Sequence, residues 1–323
     1  MGRIKTSSSK AISDTAAEVL FPKSTLDISQ YLSNNDHRDC PIAVVCGGHS
    51  SSNVATWPIF LDDTNDGNDE QQQSRRTMII DMEHMSSISV NHETLEVTVG
   101  GGVLFRQLAE TCSNAKCSLP IGTGPTVGVS GYVLNGGISG YFGRRLGMLG
   151  RRVTKMEIVL ANGEVKTLIP PKSTSLGSND ASGGNDNDCD LFRACLGAGS
   201  AMGVVTSLTL KMEEESIYRT GGSIVFACSS KSIAKTFLRK ALLFMKESVL
   251  LSSTSPSSSS MEIVTTSDYT VICTLMFYDS FDGDPEIFVA PLRDAATEYN
   301  IPIVADGVSS HKTWFDAAPS LWG

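Results

Sequence analysis

A chain of 323 residues, 41% of them hydrophobic, can bury a sizeable core and has the length of about two domains. A net charge of −9 argues against a nucleic-acid partner held through phosphate contacts. No apolar run reaches the roughly 18 residues of a membrane span. The N-terminus has basic residues but no apolar stretch of a secretory signal, so the default location is cytoplasmic. Gly2 and Thr6 fit the loose myristoylation pattern M-G-x-x-x-S/T, which matches often by chance.

In chain order, Ile42–Cys46, Met78–Asp81 and Leu95–Val99 read as strands from their β-branched and alternating residues. Leu104–Ala115 has Leu104, Leu108 and Cys112 at helical spacing. Val153–Leu160 and Val165–Leu168 form a hairpin around Asn162-Gly163. Asp190–Leu196 reads as a short helix. Val204–Lys211 reads as a strand with Val204, Thr206, Leu208 and Leu210 on one face.

After the acidic break Glu213-Glu214-Glu215 the pattern changes. Ser223–Cys228, Met261–Thr266 and Thr270–Tyr278 are predicted strands. Ser230–Leu250 is a predicted amphipathic helix with Ile233, Phe237, Ala241 and Val249 on its stripe. Pro285–Tyr299 is a helix opened by proline. This second pattern is an antiparallel sheet covered by helices, so the fold class is α+β, with domains over 1–212 and 213–323. The polar stretches 62–76, 172–190 and 252–260 read as surface loops.

Eight cysteines are spread singly, with no CxxC and no zinc spacing. They read as buried thiols, with Cys40/Cys46, Cys112/Cys117 and Cys189/Cys195 the closest pairs. No metal is implied.

Two segments carry chemistry. Val44-Val45-Cys46-Gly47-Gly48-His49-Ser50 runs from a strand into a Gly-Gly turn, where amides can converge on an anion. An ordinary turn with a surface histidine is the plainer alternative. Residues 120–143 hold glycines at 122, 124, 128, 131, 136, 137, 140 and 143, interleaved with Ile121, Val127, Val129, Val133, Leu134 and Ile138. That mixture indicates ordered backbone lying close to a large, flat, phosphate-bearing ligand, or else loop packed on loop. Gly197-Ala198-Gly199 is no nicotinamide dinucleotide motif, because it follows a helix and opens a strand.

The ordered set of these motifs resembles the FAD-linked oxidases with a PCMH-type (vanillyl-alcohol-oxidase-type) flavin domain, in the berberine-bridge-enzyme-like branch. It runs through GGHS, the T-V-G-G-G segment, L-P-I-G-T-G-P-T-V-G-V-S-G, N-G-G-I-S-G and D-L-F-R-A-C-L-G-A-G-S-A-M-G-V-V-T. The resemblance covers roughly residues 20–212 and continues weakly beyond. It implies a PCMH-type FAD-binding domain of two subdomains followed by a partial substrate domain. It implies FAD held by a pyrophosphate turn of Val45, Cys46, Gly47, Gly48, His49 and Ser50, with His49 bonded covalently to the flavin 8α carbon. Gly124, Pro125, Thr126, Val127, Gly128 and Gly131 would lie along the isoalloxazine and ribityl, with Tyr132 at the flavin wall. Gly136, Gly137 and Gly140 would follow, and Gly203, Val204 and Val205 would meet the adenine end.

The chain departs from the family at Val45, where Arg or Lys is frequent, and at Gly124, where doubly linked members carry Cys. It departs again at Tyr132, where His is frequent. Val127 matches the family's oxygen gate and points to an oxidase; a core valine is the alternative reading. The implied reaction moves hydride from an alcohol, sugar or amine C–H to flavin N5, with O2 as acceptor. The implied partners are thus a small-molecule substrate and O2. The family's base comes from a C-terminal stretch with no match here, so no catalytic residue is named. A catalytically silent FAD-binding protein and a truncated, defective fragment are the alternatives.

Overall fold

Two short runs of β-branched and aliphatic residues, 42–45 and 77–81, lie side by side and parallel in the computed structural model. The structure describes residues 16–34, 42–49, 77–139, 143–171, 186–214, 219–246, 259–278 and 286–311. The chain divides into two compact units: Met1–Leu108, Gly124–Gly137 and Gly150–Met212 form one, and Ala109–Thr123, Ile138–Leu149 and Glu213–Gly323 the other.

The first unit begins with β1 (Ala16–Leu20), α1 (Thr25–Ser33), β2 (Ile42–Val45) and β3 (Thr77–Asp81). β1, β3 and β2 make a parallel three-stranded sheet in that order. Parallel strands cannot be joined by a tight turn, and α1 stands in the chain between β1 and β2, the two strands that flank β3. Ser24 and Asp27 start α1 with a reciprocal capping box. Ile28 and Leu32 of α1 pack with Ile80, Met82, Val159 and Val204.

The chain then forms β4 (Ile88–Asn91), β5 (Glu96–Gly100), α2 (Phe105–Asn114), β6 (Cys117–Ser118), α3 (Val129–Leu134) and α4 (Gly143–Leu146). β7 (Val153–Val159), β8 (Val165–Leu168), α5 (Asp186–Ala198) and β9 (Val204–Lys211) follow. Strands β4-β5-β9-β7-β8 build an antiparallel sheet. Val97, Val99, Met156, Ile158, Leu208 and Leu210 are fully buried on it. Glu157 ties α1 to the sheet, accepting from Thr25 Oγ1 at 2.5 Å and from buried Thr206 Oγ1 at 2.7 Å.

In the second unit β10 (Glu213–Glu214) pairs with β6. β11 (Arg219–Ala227), α6 (Lys231–Phe244), β12 (Ser259–Thr265), β13 (Thr270–Tyr278), α7 (Glu286–Glu298), β14 (Ile303–Asp306) and β15 (Ser309–His311) complete it. The antiparallel order is β12-β13-β11-β14, with β15 also on β11. Ile224, Phe226, Val271, Cys273 and Leu275 of the sheet bury against Phe237, Ala241, Val289 and Leu292 of the helices. The rings of Phe226 and Phe237 are 4.5 Å apart.

Several elements differ from the sequence reading. α5 starts at Asp186, so 186–190 is helix rather than loop, and Ser259-Ser260 open β12. β11 starts four residues earlier than predicted, because Gly221-Gly222 hides the β pattern. Gly222 is there for closeness: a β-carbon on it would lie 2.2 Å from Gly307 O. α6 ends at Phe244, and 247–250 lie outside the described residues. The stretches 62–76, 172–185 and 252–258 also lie outside them. No helix among the described residues is long and apolar enough to cross a membrane.

Candidate functional site

β2 ends at Val45 and delivers Cys46-Gly47-Gly48-His49 as a turn. Gly48 has a φ of +71°, a left-handed value that a side chain would strain. Cys46 is buried and its Sγ lies 3.5 Å from the Val103 carbonyl oxygen. The turn packs backbone to backbone on the second glycine segment. A β-carbon on Gly47 would sit 2.4 Å from both Gly128 N and Thr126 O. His49 stays exposed, and its Nε2 lies 2.7 Å from Thr126 Oγ1.

The second segment owes its course to α2. The first amides of a helix have no partner within it. Here Phe105 N–H donates to Val127 O at 3.0 Å and Arg106 N–H to Pro125 O at 2.9 Å. Gln107 Oε1 accepts from Leu104 N–H. Val129 N–H donates to Val103 O, and Val127 N–H to Gly124 O, closing the loop on itself. The carbonyls of Gly124, Pro125 and Val127 are therefore engaged, while the amides of Gly47, Gly48, Gly124 and Thr126 make no hydrogen bond among the described residues.

Gly128 leads into α3, an element absent from the sequence expectation because its six residues include Gly131 and no capping side chain. A β-carbon at Gly131 or Gly48 would touch nothing within 4 Å. At Gly124 it would meet Val127 Cγ2 at 2.8 Å, so the Val127 side chain occupies the space that a cysteine at this position would need. Tyr132 is half-buried and stands edge-on to Phe105, with centroids 4.8 Å apart.

The remaining predicted residues fall elsewhere. Gly136 and Gly137 have φ of +94° and +70°, and the Gly136 carbonyl accepts from Gly150 N–H, so this stretch makes a turn against Gly150. Gly203 packs on β7, where a β-carbon would lie 2.5 Å from Val159 O. Val204 and Val205 are buried, Val204 in the core with Ile28 and Ile80, leaving only their main chain for a ligand. Ser50 and Gly140 lie outside the described residues. Gly100-Gly101-Gly102, part of the recognised motif order, is structural: its amides donate to Ser87, Thr206 and Met85 carbonyls. The residues that sequence reasoning missed are Phe105 and Arg106, whose main chain holds the loop; the helix start after T-V-G-G-G was their signal. No group of His, Cys, Asp and Glu among the described residues gathers as a metal site.

A family model described as "FAD binding domain" matches residues 16–169. An FAD-linked oxidoreductase, azaL, of Aspergillus niger is 32% identical over 133 residues, covering 41% of this chain and 25% of that protein. The (R)-6-hydroxynicotine oxidase of Paenarthrobacter nicotinovorans is 26% identical over 193 residues, 60% of this chain and 35% of the oxidase. The matches thus span about a quarter to a third of these relatives' length. The solved structure of BBE-like 1 from Physcomitrella patens superposes with a TM-score of 0.70 at 18% identity, covering 98% of this chain and 61% of that one. Unspent amides beside the His49/Thr126 pair, with open space over Gly48 and Gly131, suit a ligand with phosphate oxygens and a flat body. Residues 16–169 therefore match the FAD binding domain family, and the chain has the PCMH-type FAD-binding fold.

Proposed function

We propose that the chain is the FAD-binding part of an FAD-linked oxidoreductase acting as an oxidase. The observation that carries the reading is the interlock of the 46–49 turn with the 124–128 loop, sealed by His49 and Thr126 at 2.7 Å. The amides of Gly47, Gly48 and His49, with Ser50, serve the pyrophosphate. Gly124–Gly131 and Tyr132 serve the isoalloxazine and ribityl, Gly136, Gly137 and Gly140 extend that wall, and the main chain at 203–205 serves the adenine end. His49 is the covalent anchor. Bound FAD would supply a hydride acceptor at N5 for an alcohol, sugar or amine C–H and pass the electrons to O2. Residues 1–212 act as the cofactor domain and 213–323 as part of the substrate domain. The relatives named as oxidoreductases and as a nicotine oxidase support the reaction class.

The test is to purify the chain with FAD, precipitate it in acid, wash it, and record flavin absorbance in the pellet. Flavin in the pellet of the wild type and its loss in His49→Ala support the anchor. Flavin only in the supernatant removes the covalent role of His49, and colourless protein with added FAD removes the reading.

A further inference from the structure

The end of α2 has the geometry of a left-handed helix terminus. Lys116 has a φ of +53°, and its N–H donates to Ser113 O at 3.0 Å, while Ala115 N–H donates to Thr111 O. The Lys116 bond is the inner bond of a Schellman cap, with Ala115 as cap residue and Lys116 as the left-handed residue after it. In that cap the next residue packs on the residue three before the cap. Those two positions are Cys117 and Cys112.

The side chains agree with the backbone. Cys112 and Cys117 are both buried thiols, and both line one small cavity together with Ala109, Leu119 and Ile121. Pairing of β6 with β10, with Cys117 opposite Glu214, fixes the second cysteine. Asn114 and Lys116, between the two cysteines in the chain, are exposed, so a reagent reaches the pair by local opening of one turn. The small cavity leaves space beside both residues, which a disulfide's narrow geometry requires of side chains that must turn toward each other.

We propose that Cys112 and Cys117 are a redox-sensitive dithiol, a modification site that closes to a disulfide by exchange with a low-molecular-weight disulfide. One cysteine thiolate attacks the small disulfide, forming a mixed disulfide and releasing one thiol. The second cysteine then displaces the other half. The two cysteine thiols are oxidised to one S–S bond, and the small disulfide is reduced to two thiols. The product staples the last turn of α2 to β6.

Trypsin cuts after Arg106, Lys116 and Arg144, so the two cysteines fall on separate peptides, 107–116 and 117–144, each with no other cysteine. The full chain is incubated with oxidised glutathione, denatured, alkylated and digested without reductant. A linked 107–116/117–144 pair, lighter by two hydrogens than its parts and replacing most of the free 107–116 peptide in monomeric protein, is the expected result. The pair is absent in Cys117→Ser. Both cysteines recovered alkylated, left as stable glutathione adducts, or joined to other cysteines would overturn the proposal. The readout does not involve FAD, so it stands or falls apart from the proposed function.

Discussion

The sulfur of Cys46 lies 2.3 Å from the place where a β-carbon on Gly128 would be, and the Gly47 amide nitrogen lies 2.7 Å from it. Two of the three atoms nearest that point are a packed sulfur and a main-chain nitrogen, neither at the end of a flexible arm. Gly128→Ala should therefore destabilise the first unit by about 1–3 kcal/mol, the usual cost of overpacking. Urea unfolding of the FAD-free protein measures it. A midpoint equal to wild type would show that the two segments are not in contact.

Gly131 is the contrasting case. It is exposed inside α3, and a methyl there meets nothing within 4 Å. Gly131→Ala should stabilise the FAD-free protein by about 0.5–1 kcal/mol, from reduced unfolded-state freedom. It should also weaken FAD binding if flavin lies along this surface. A flavin titration with unchanged affinity would move the cofactor away from α3.

Thr126→Val keeps the shape of the side chain and removes the partner of His49 Nε2. The lost hydrogen bond is solvent-exposed, so the stability cost falls at or below about 0.5 kcal/mol. The expected change is in chemistry: less flavin retained after acid precipitation, at unchanged total FAD bound before it. Equal retention would show that this contact does not orient the ring.

Burial pushes the Cys273 thiol up to about 12, from an ordinary 9.0. Folded protein then keeps a proton that unfolded protein loses as pH rises past about 9. The unfolded state binds fewer protons, so stability falls with rising pH, approaching about 1.4 kcal/mol per pH unit, until the folded thiol itself ionises. Cys195, raised to about 11 by burial, adds the same sign over a narrower window in the first unit. Denaturation at pH 8 and pH 10.5 should show the loss, and Cys273→Ala should flatten the slope of the second unit.

The strands with strong alternation were legible in the chain: β9 runs over the predicted residues, and β7 and β8 flank the predicted Asn-Gly turn. The turn's surroundings were not legible. Gly163 also packs on α1, where a β-carbon would lie 2.0 Å from Ser33 Oγ, a contact 130 residues away in sequence. α1 itself carries a clear capping box at Ser24 and Asp27, a local signal that the apolar periodicity alone did not expose. At the site, glycine density located the loops. It did not separate Gly47 and Gly128, which close on each other, from Gly100–Gly102, which pack on Met82–Met85. Both uses need the same missing side chain, and only the neighbours differ.

Val127 is tied to its neighbours through both main-chain groups: its carbonyl accepts from Phe105 N–H and its amide donates to Gly124 O. None of these bonds consults the identity of the side chain. Lineages could therefore exchange residue 127 for larger or smaller ones while the path of the loop is inherited unchanged. The position is a dial that evolution can turn without redesigning the instrument.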